Sequence, residues 1–208
     1  MNKRLITLAA AILLLIFTAD RSHSQNNKNI LFFGDSITAG YGLDSENAFP
    51  ALIQNRLDSL GLEYNVVDAG FSGETSAGGL RRVDWILQQP VEIFVLELGG
   101  NDGLRGLNPE NTKENLQGII QKVESAYPDA TIILAGMEAP PNMGSDYTER
   151  FRSIYKELAA NNDVIFLPFI LEGVAGDPDL NLADGIHPTA EGHEIVAENV
   201  WEVLEPLL

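Results

Sequence analysis

The chain has 208 residues, a soft prior of one domain, and no cysteine, which excludes disulfide scaffolds, thiolate metal sites, iron–sulfur clusters and cysteine nucleophiles. Apolar residues make up 45% and charged residues 21%, the balance of a globular protein that buries a core without staples. With 13 basic against 30 acidic residues the formal charge is −17, which argues against binding nucleic-acid phosphates or adsorbing to an anionic membrane.

Residues 1–24 read as a secretory signal peptide. Lys3 and Arg4 precede a mostly apolar run, Leu5 to Thr18, and Ser22 and Ser24 stand before a cut ahead of Gln25. The run is shorter than the roughly 20 residues a spanning helix needs. Cleavage removes three basic residues and one acidic, so the mature chain is more negative still; it also removes His23 and leaves only His187 and His193. The expected location is the periplasm or the exterior, without stable membrane insertion once the signal is gone.

Residues 25–208 then alternate short β-rich runs with longer helical ones. Asn29–Phe33 is a first strand closed by Gly34. Phe49–Leu60 is helical, with Asn47 as its expected cap. Tyr64–Asp68 is a second strand, Leu80–Gln88 a weak helix, and Ile93–Leu98 a third strand closed by Gly99 and Gly100. Asn108 caps a helix with Pro109 at its first position, a strong start signal, and the helix runs to Ala126. Thr131–Ala135 is a fourth strand, Asp146–Ala160 a helix with Phe151, Ile154, Tyr155 and Leu158 on one face, Val164–Leu167 a fifth strand, and Thr189–Leu204 the last helix. Five strands alternating with helices predict one α/β domain with a parallel sheet covered on both faces. Two long loops, Met137–Ser145 and Leu171–Asp184, are candidates for function.

Ligands of open parallel sheets bind beyond the carboxyl ends of the strands. The segments found there are Gly34-Asp35-Ser36, Gly70-Phe71-Ser72-Gly73-Glu74-Thr75 and Gly99-Gly100-Asn101-Asp102, joined by Asp184-Gly185-Ile186-His187 before the last helix. Acyl transfer needs each of their groups. Ser36 is the nucleophile candidate and His187 the base that activates it. Asp184, three residues before His187, is close enough to hold the Nδ1 tautomer and stabilise the imidazolium. The backbone N–H groups of Ser36 and Gly73 and the Asn101 amide are candidate oxyanion donors. Singly, each is ordinary: a serine after a strand is usually a turn or cap residue, and Gly-Gly-Asn-Asp is usually a turn. Asp35 and Asp102 read as turn acceptors, Arg81 and Arg82 as surface charges, and His193 as a solvent-facing helix residue. Joint order and placement carry the assignment. The sequence GDSIT at Gly34–Thr38 lacks the second glycine of the α/β-hydrolase elbow, and the two histidines lack zinc spacing.

These blocks resemble the SGNH (GDSL) hydrolases. The match runs through GDSITAGYGL at Gly34–Leu43, SGETSAGGL at Ser72–Leu80, ELGGNDGLRG at Glu97–Gly106 and DGIHPTAEGH at Asp184–His193. It is similar to the thioesterase I, arylesterase and lysophospholipase branch, which is typically periplasmic. The resemblance implies a single three-layer α/β/α domain with a five-stranded parallel sheet, flavodoxin-like. It implies the triad Ser36, Asp184 and His187 and an oxyanion hole of Ser36, Gly73 and Asn101. No cofactor or metal is expected, because the site has no ligand cluster and the triad needs none. Glu74 stands where the family usually has Asp.

The expected activity is hydrolysis of aryl esters, acyl thioesters or lysophospholipids through an acyl-serine. A polyanionic thioester such as acyl-CoA fits poorly with so acidic an exported chain, whereas a neutral ester or zwitterionic lysolipid fits. Phe71, Leu104, Leu107, Pro140, Pro141, Met143 and Tyr147 are candidate linings of an acyl groove, and Arg105 a candidate partner for a phosphate head group. The partner is thus a small-molecule ester or lysolipid, and the expected state is a monomer. The alternatives are a carbohydrate esterase, which would want tryptophan platforms where only Trp85 and Trp201 exist, and an inactive binding module of the same fold.

Overall fold

The five apolar runs pair into one parallel sheet in the order β2-β1-β3-β4-β5. The computed structural model describes residues 28–208, so the signal-peptide reading of residues 1–24 lies outside the described residues. The elements are β1 (Lys28–Gly34), α1 (Phe49–Ser59), β2 (Tyr64–Gly70), α2 (Ser76–Ile86), β3 (Ile93–Glu97), α3 (Gly100–Leu104), α4 (Pro109–Ala126), β4 (Thr131–Ala135), α5 (Ser145–Asn161), β5 (Ile165–Leu167) and α6 (Ala190–Leu204). Helix α1 packs against α6, and α4 against both α2 and α5. Right-handed crossovers in this strand order put the two groups on opposite faces, giving the expected three layers.

Local chemistry explains the elements. Strands β1 and β3 are buried along almost their whole length, as a sheet covered on both faces requires. Asn108 caps α4 by accepting the Glu110 N–H at 2.9 Å. Phe151, Ile154, Tyr155 and Leu158 of α5 recur at helical spacing and are all buried.

Helix α2 begins at Ser76, four residues before the expected start. Thr75 caps it by accepting the Gly78 N–H, and the Gly78-Gly79 pair had diluted the helical pattern. The expected cap of α1, Asn47, is not used. Ala48 occupies that position without a side-chain bond, and the Phe49 N–H donates instead to His193 Nδ1 at 3.1 Å. His193 is therefore not solvent-facing. It is fully buried in α6, with its ring stacked on Phe49, and it joins the last helix to the first.

Burial, with a smaller contribution from His187, lowers the His193 pKa to about 4. The folded state thus favours the neutral ring, while the unfolded chain takes up the proton first as pH falls. The stability associated with this residue is complete above about pH 6.5 and is lost as pH drops toward about 4. Relative to a His193→Gln variant, the protein should lose about 3 kcal/mol between pH 7 and pH 4 in urea unfolding. A difference independent of pH would contradict this.

Candidate active site

The chain leaves β1 toward β2 on one side and returns as β3 on the other. That reversal of strand order opens a crevice at the carboxyl ends of β1 and β3. Gly34, last in β1, pairs with Gly70 of β2 and Glu97 of β3. A Cβ on Gly34 would overlap Thr38 Oγ1 and the Glu97 carboxyl group. Without one, Glu97 Oε2 lies against the turn and accepts the Asp35 N–H at 3.1 Å and the Thr38 hydroxyl at 2.8 Å. Glu97 is fully buried, and its Oε1 has no partner among the described residues. Burial, reinforced by the Asp35 carboxyl, pushes Glu97 well above the usual carboxylate range.

This turn presents Ser36. Its Oγ lies 2.9 Å from His187 Nε2, and His187 Nδ1 lies 2.7 Å from Asp184 Oδ2. Asp184 Oδ1 accepts the N–H groups of Ile186 and His187 at 2.9 and 3.0 Å. The bond from the His187 ring, then that from its backbone, lowers the Asp184 pKa to about 2. An ionised Asp184 makes Nδ1 the donor and leaves Nε2 free to accept the serine proton. The loop holding this pair is itself clamped. Asn181 bridges to Pro188, the Leu182 N–H donates to the His187 carbonyl at 2.7 Å, and the Tyr41 ring lies 4.5 Å from the imidazole.

Gly73 is the third residue of a turn closed by the Glu74 N–H on the Phe71 carbonyl at 3.1 Å. Its φ of +82° suits a type II turn and favours glycine. Among the described residues no protein acceptor takes the N–H of Ser36 or Gly73. Asn101 lies in α3, a short helix the sequence pattern did not suggest. Its Nδ2 donates to Asp35 Oδ2 at 3.0 Å, which leaves the second amide hydrogen for a ligand. Asp35 makes the local bond expected of a turn acceptor, to the Ile37 N–H at 3.0 Å. Burial raises its pKa, opposed by the Ile37 and Asn101 bonds. Asp102 does more than close its own turn: buried, it accepts the Ser76 N–H and hydroxyl and the Thr112 hydroxyl, joining α3 to α2 and α4.

A cavity of about 480 Å³ opens beside Ser36 and Asn101. Of the expected lining, Leu104, Pro140 and Pro141 are in its wall. Phe71, Arg105, Leu107, Met143 and Tyr147 are not. Phe71 is exposed beside Arg82, and Met143 packs on Gly106. The Leu107 carbonyl accepts the Tyr147 hydroxyl at 2.7 Å. Arg105 donates to the Gly73 carbonyl at 3.0 Å. Met137, Phe169, Leu171 and Ile186 line the wall instead, with a Glu138–Arg152 ion pair. Position after β4 could have indicated Glu138; nothing local pointed to Phe169 or Arg152. Trp85 is exposed on α2, Trp201 is buried in α6, and neither lines the cavity.

Residues 32–195 match the GDSL-like Lipase/Acylhydrolase family. Esterase TesA of Pseudomonas aeruginosa is 41% identical over 202 residues, 97% of this chain and 98% of that protein. Thioesterase 1/protease 1/lysophospholipase L1 of Escherichia coli is 40% identical over 180 residues, 86% of this chain and 84% of that protein. A crystal structure of TesA superposes with a TM-score of 0.83 at 43% identity, covering 87% of this chain and all of the other.

If the Asn101 amide meets charge that develops only in the transition state, Asn101→Ala should lower turnover by about 10²–10³-fold. Its KM should change little, and it should stay folded with an unfolding midpoint lowered only modestly by loss of the bond to Asp35. Loss of folded protein instead would make Asn101 a structural turn residue.

Proposed function

The chain belongs to the GDSL-like lipase/acylhydrolase family and is a serine ester hydrolase, and on that premise we propose that Ser36, His187 and Asp184 carry the reaction with Ser36, Gly73 and Asn101 as the oxyanion hole. The observation that carries the reading is the unbroken path of hydrogen bonds from Ser36 Oγ through His187 to Asp184. Nε2 takes the hydroxyl proton as Oγ attacks the ester carbonyl. The carbonyl oxygen gains charge against the N–H groups of Ser36 and Gly73 and the Asn101 amide. His187 gives the proton to the leaving alcohol or thiol. It then draws a proton from water as the water oxygen attacks the acyl carbon, and returns that proton to Ser36 Oγ as the C–Oγ bond breaks and the acid leaves.

The proposed substrates are acyl esters with apolar chains and an uncharged or zwitterionic remainder: aryl esters, lysophospholipids and acyl thioesters. The mostly apolar cavity beside Ser36 supports the acyl part. The relatives' names, esterase and thioesterase 1/lysophospholipase L1, support the range. A formal charge of −17 disfavours polyanionic substrates. A triad and oxyanion hole of Ser36, Gly73, Asn101, Asp184 and His187 need no residue from a second copy, and we propose that the protein works as a monomer, the triad using no cofactor or metal. The basic and apolar start of the sequence supports export to the periplasm or exterior. Arg105 remains a candidate for a phosphate head group only if substrate draws it from the Gly73 carbonyl.

The test is hydrolysis of p-nitrophenyl esters from acetyl to palmitoyl by residues 25–208, with Ser36→Ala as control. Turnover should peak at medium or long chains and vanish in the variant. Cleavage of acetyl alone would favour a carbohydrate esterase, and an equally active Ser36→Ala would refute the assignment. The bond from the His187 ring keeps the Asp184 carboxylate ionised down to about pH 2, so Asp184 should add no ionisation of its own to the rate profile above about pH 3. A carboxyl titration assigned to Asp184 by NMR with its midpoint above about pH 3 would contradict this.

A further inference from the structure

Gly73 has no side chain to pack, and a Cβ there would meet nothing within 4 Å. Phe71, Ser72 and Gly73 are all exposed. A donor that stabilises an oxyanion must nonetheless be held in place before the charge arrives. Arg105 holds the Gly73 carbonyl at 3.0 Å, and the rest of what holds this turn is visible at its two corners.

At the first corner the Phe71 N–H donates to the Gly34 carbonyl at 3.0 Å. At the second, the Glu74 side chain is nearly buried and paired with Arg82, whose Nε donates to Glu74 Oε1 and Oε2 at 3.0 and 2.9 Å. Arg82 Nη2 bonds the same carboxylate, donates to the Ala69 carbonyl at 2.9 Å, and approaches the Gly34 carbonyl at 3.5 Å. The guanidinium lies 4.3 Å from the centre of the Phe33 ring. Arg82 is thus no surface charge. Its planar fork spans the ends of β1 and β2 and the far corner of the Gly73 turn, a reach the single ammonium of lysine cannot reproduce. Gly34 stands two residues before Ser36, so the same contacts set Gly73 relative to the serine N–H.

We propose that the Glu74–Arg82 pair is a positioning device of the oxyanion hole, holding the Gly73 N–H in register with that of Ser36 from the corner of the turn opposite the one that Phe71 ties to Gly34. The proposal rests on the reading of Gly73 and Ser36 as oxyanion donors. The pair touches no substrate and acts through the turn. Its removal therefore costs transition-state stabilisation equally for every ester, whatever the acyl chain.

The experiment compares Arg82→Lys, Glu74→Gln and the double variant with the wild type. It measures kcat and KM on short and medium p-nitrophenyl esters and the rate of Ser36 phosphonylation. All rates are referred to the folded fraction measured by circular dichroism. Each single variant should lose about tenfold or more in kcat, with KM within about twofold and the same loss for both esters. Phosphonylation should slow in parallel, and the double variant should be no slower than the slower single one. Wild-type kcat in folded Arg82→Lys, multiplying losses in the double variant, or a change confined to KM would overturn the proposal. If Arg82→Lys is mostly unfolded, Glu74→Gln, which keeps the arginine and a side chain of similar shape, decides by the same measures. Ser36→Ala separates the two readings: an active or phosphonylated Ser36→Ala protein would refute the site, whereas unchanged kcat in folded Arg82→Lys refutes only the role of the pair.

Discussion

The rest of the site depends on the absence of a side chain at Gly34, which lets the buried Glu97 carboxyl lie against the turn that carries Ser36. Strands β1 and β3 are neighbours in the sheet though β2 separates them in sequence, so residues 34 and 97 meet only because the strand order reverses there. Glu97 holds the Asp35 N–H, and the Asp35 carboxylate holds Asn101. The turn bearing Ser36 and the Asn101 amide therefore belong to one hydrogen-bonded unit anchored at the end of the sheet.

Electrostatics follow from the same packing. A second ionised carboxylate beside Ser36 would oppose negative charge developing at the attacked carbonyl. Burial pushes Glu97 well above the usual carboxylate range, which favours its neutral form. Asp184 is treated in the opposite way: exposed and bonded by the His187 ring and backbone, it is held low and ionised where it can balance an imidazolium. Of the three carboxyl groups near Ser36, the buried Asp35 and Glu97 are pushed up by burial and the exposed, hydrogen-bonded Asp184 is held low. On the Gly73 side Arg82 is balanced by the Glu74 carboxylate, and Arg105 on the Gly73 carbonyl is a cation.

Much of this was legible in the sequence, for physical reasons. The stretches Ile30–Phe33 of β1 and Ile93–Leu96 of β3 are buried on both faces and read as continuous apolar runs. Asn108-Pro109 marks a helix start by local chemistry alone. The Asp184–His187 spacing is short enough to be solved within one turn. What stayed hidden depends on contacts between distant segments. His193 looked exposed because only the fold puts the Phe49 N–H opposite its ring. Arg82 looked like surface charge because Ala69, Glu74 and Phe33 come to it from three elements. The cavity wall was the least legible part. Phe71 and Leu107 follow motif residues in sequence but face elsewhere, while Phe169 and Arg152 reach the wall from remote segments.

The central claim is that three donors meet the developing oxyanion once Ser36 has attacked. A crystal structure of the protein inactivated by an alkyl phosphonate tests it most directly. Phosphorus should be bonded to Ser36 Oγ, with one phosphoryl oxygen about 2.7–3.1 Å from the N–H groups of Ser36 and Gly73 and from Asn101 Nδ2. A phosphoryl oxygen turned away from these donors, or an adduct on any other residue, would contradict it.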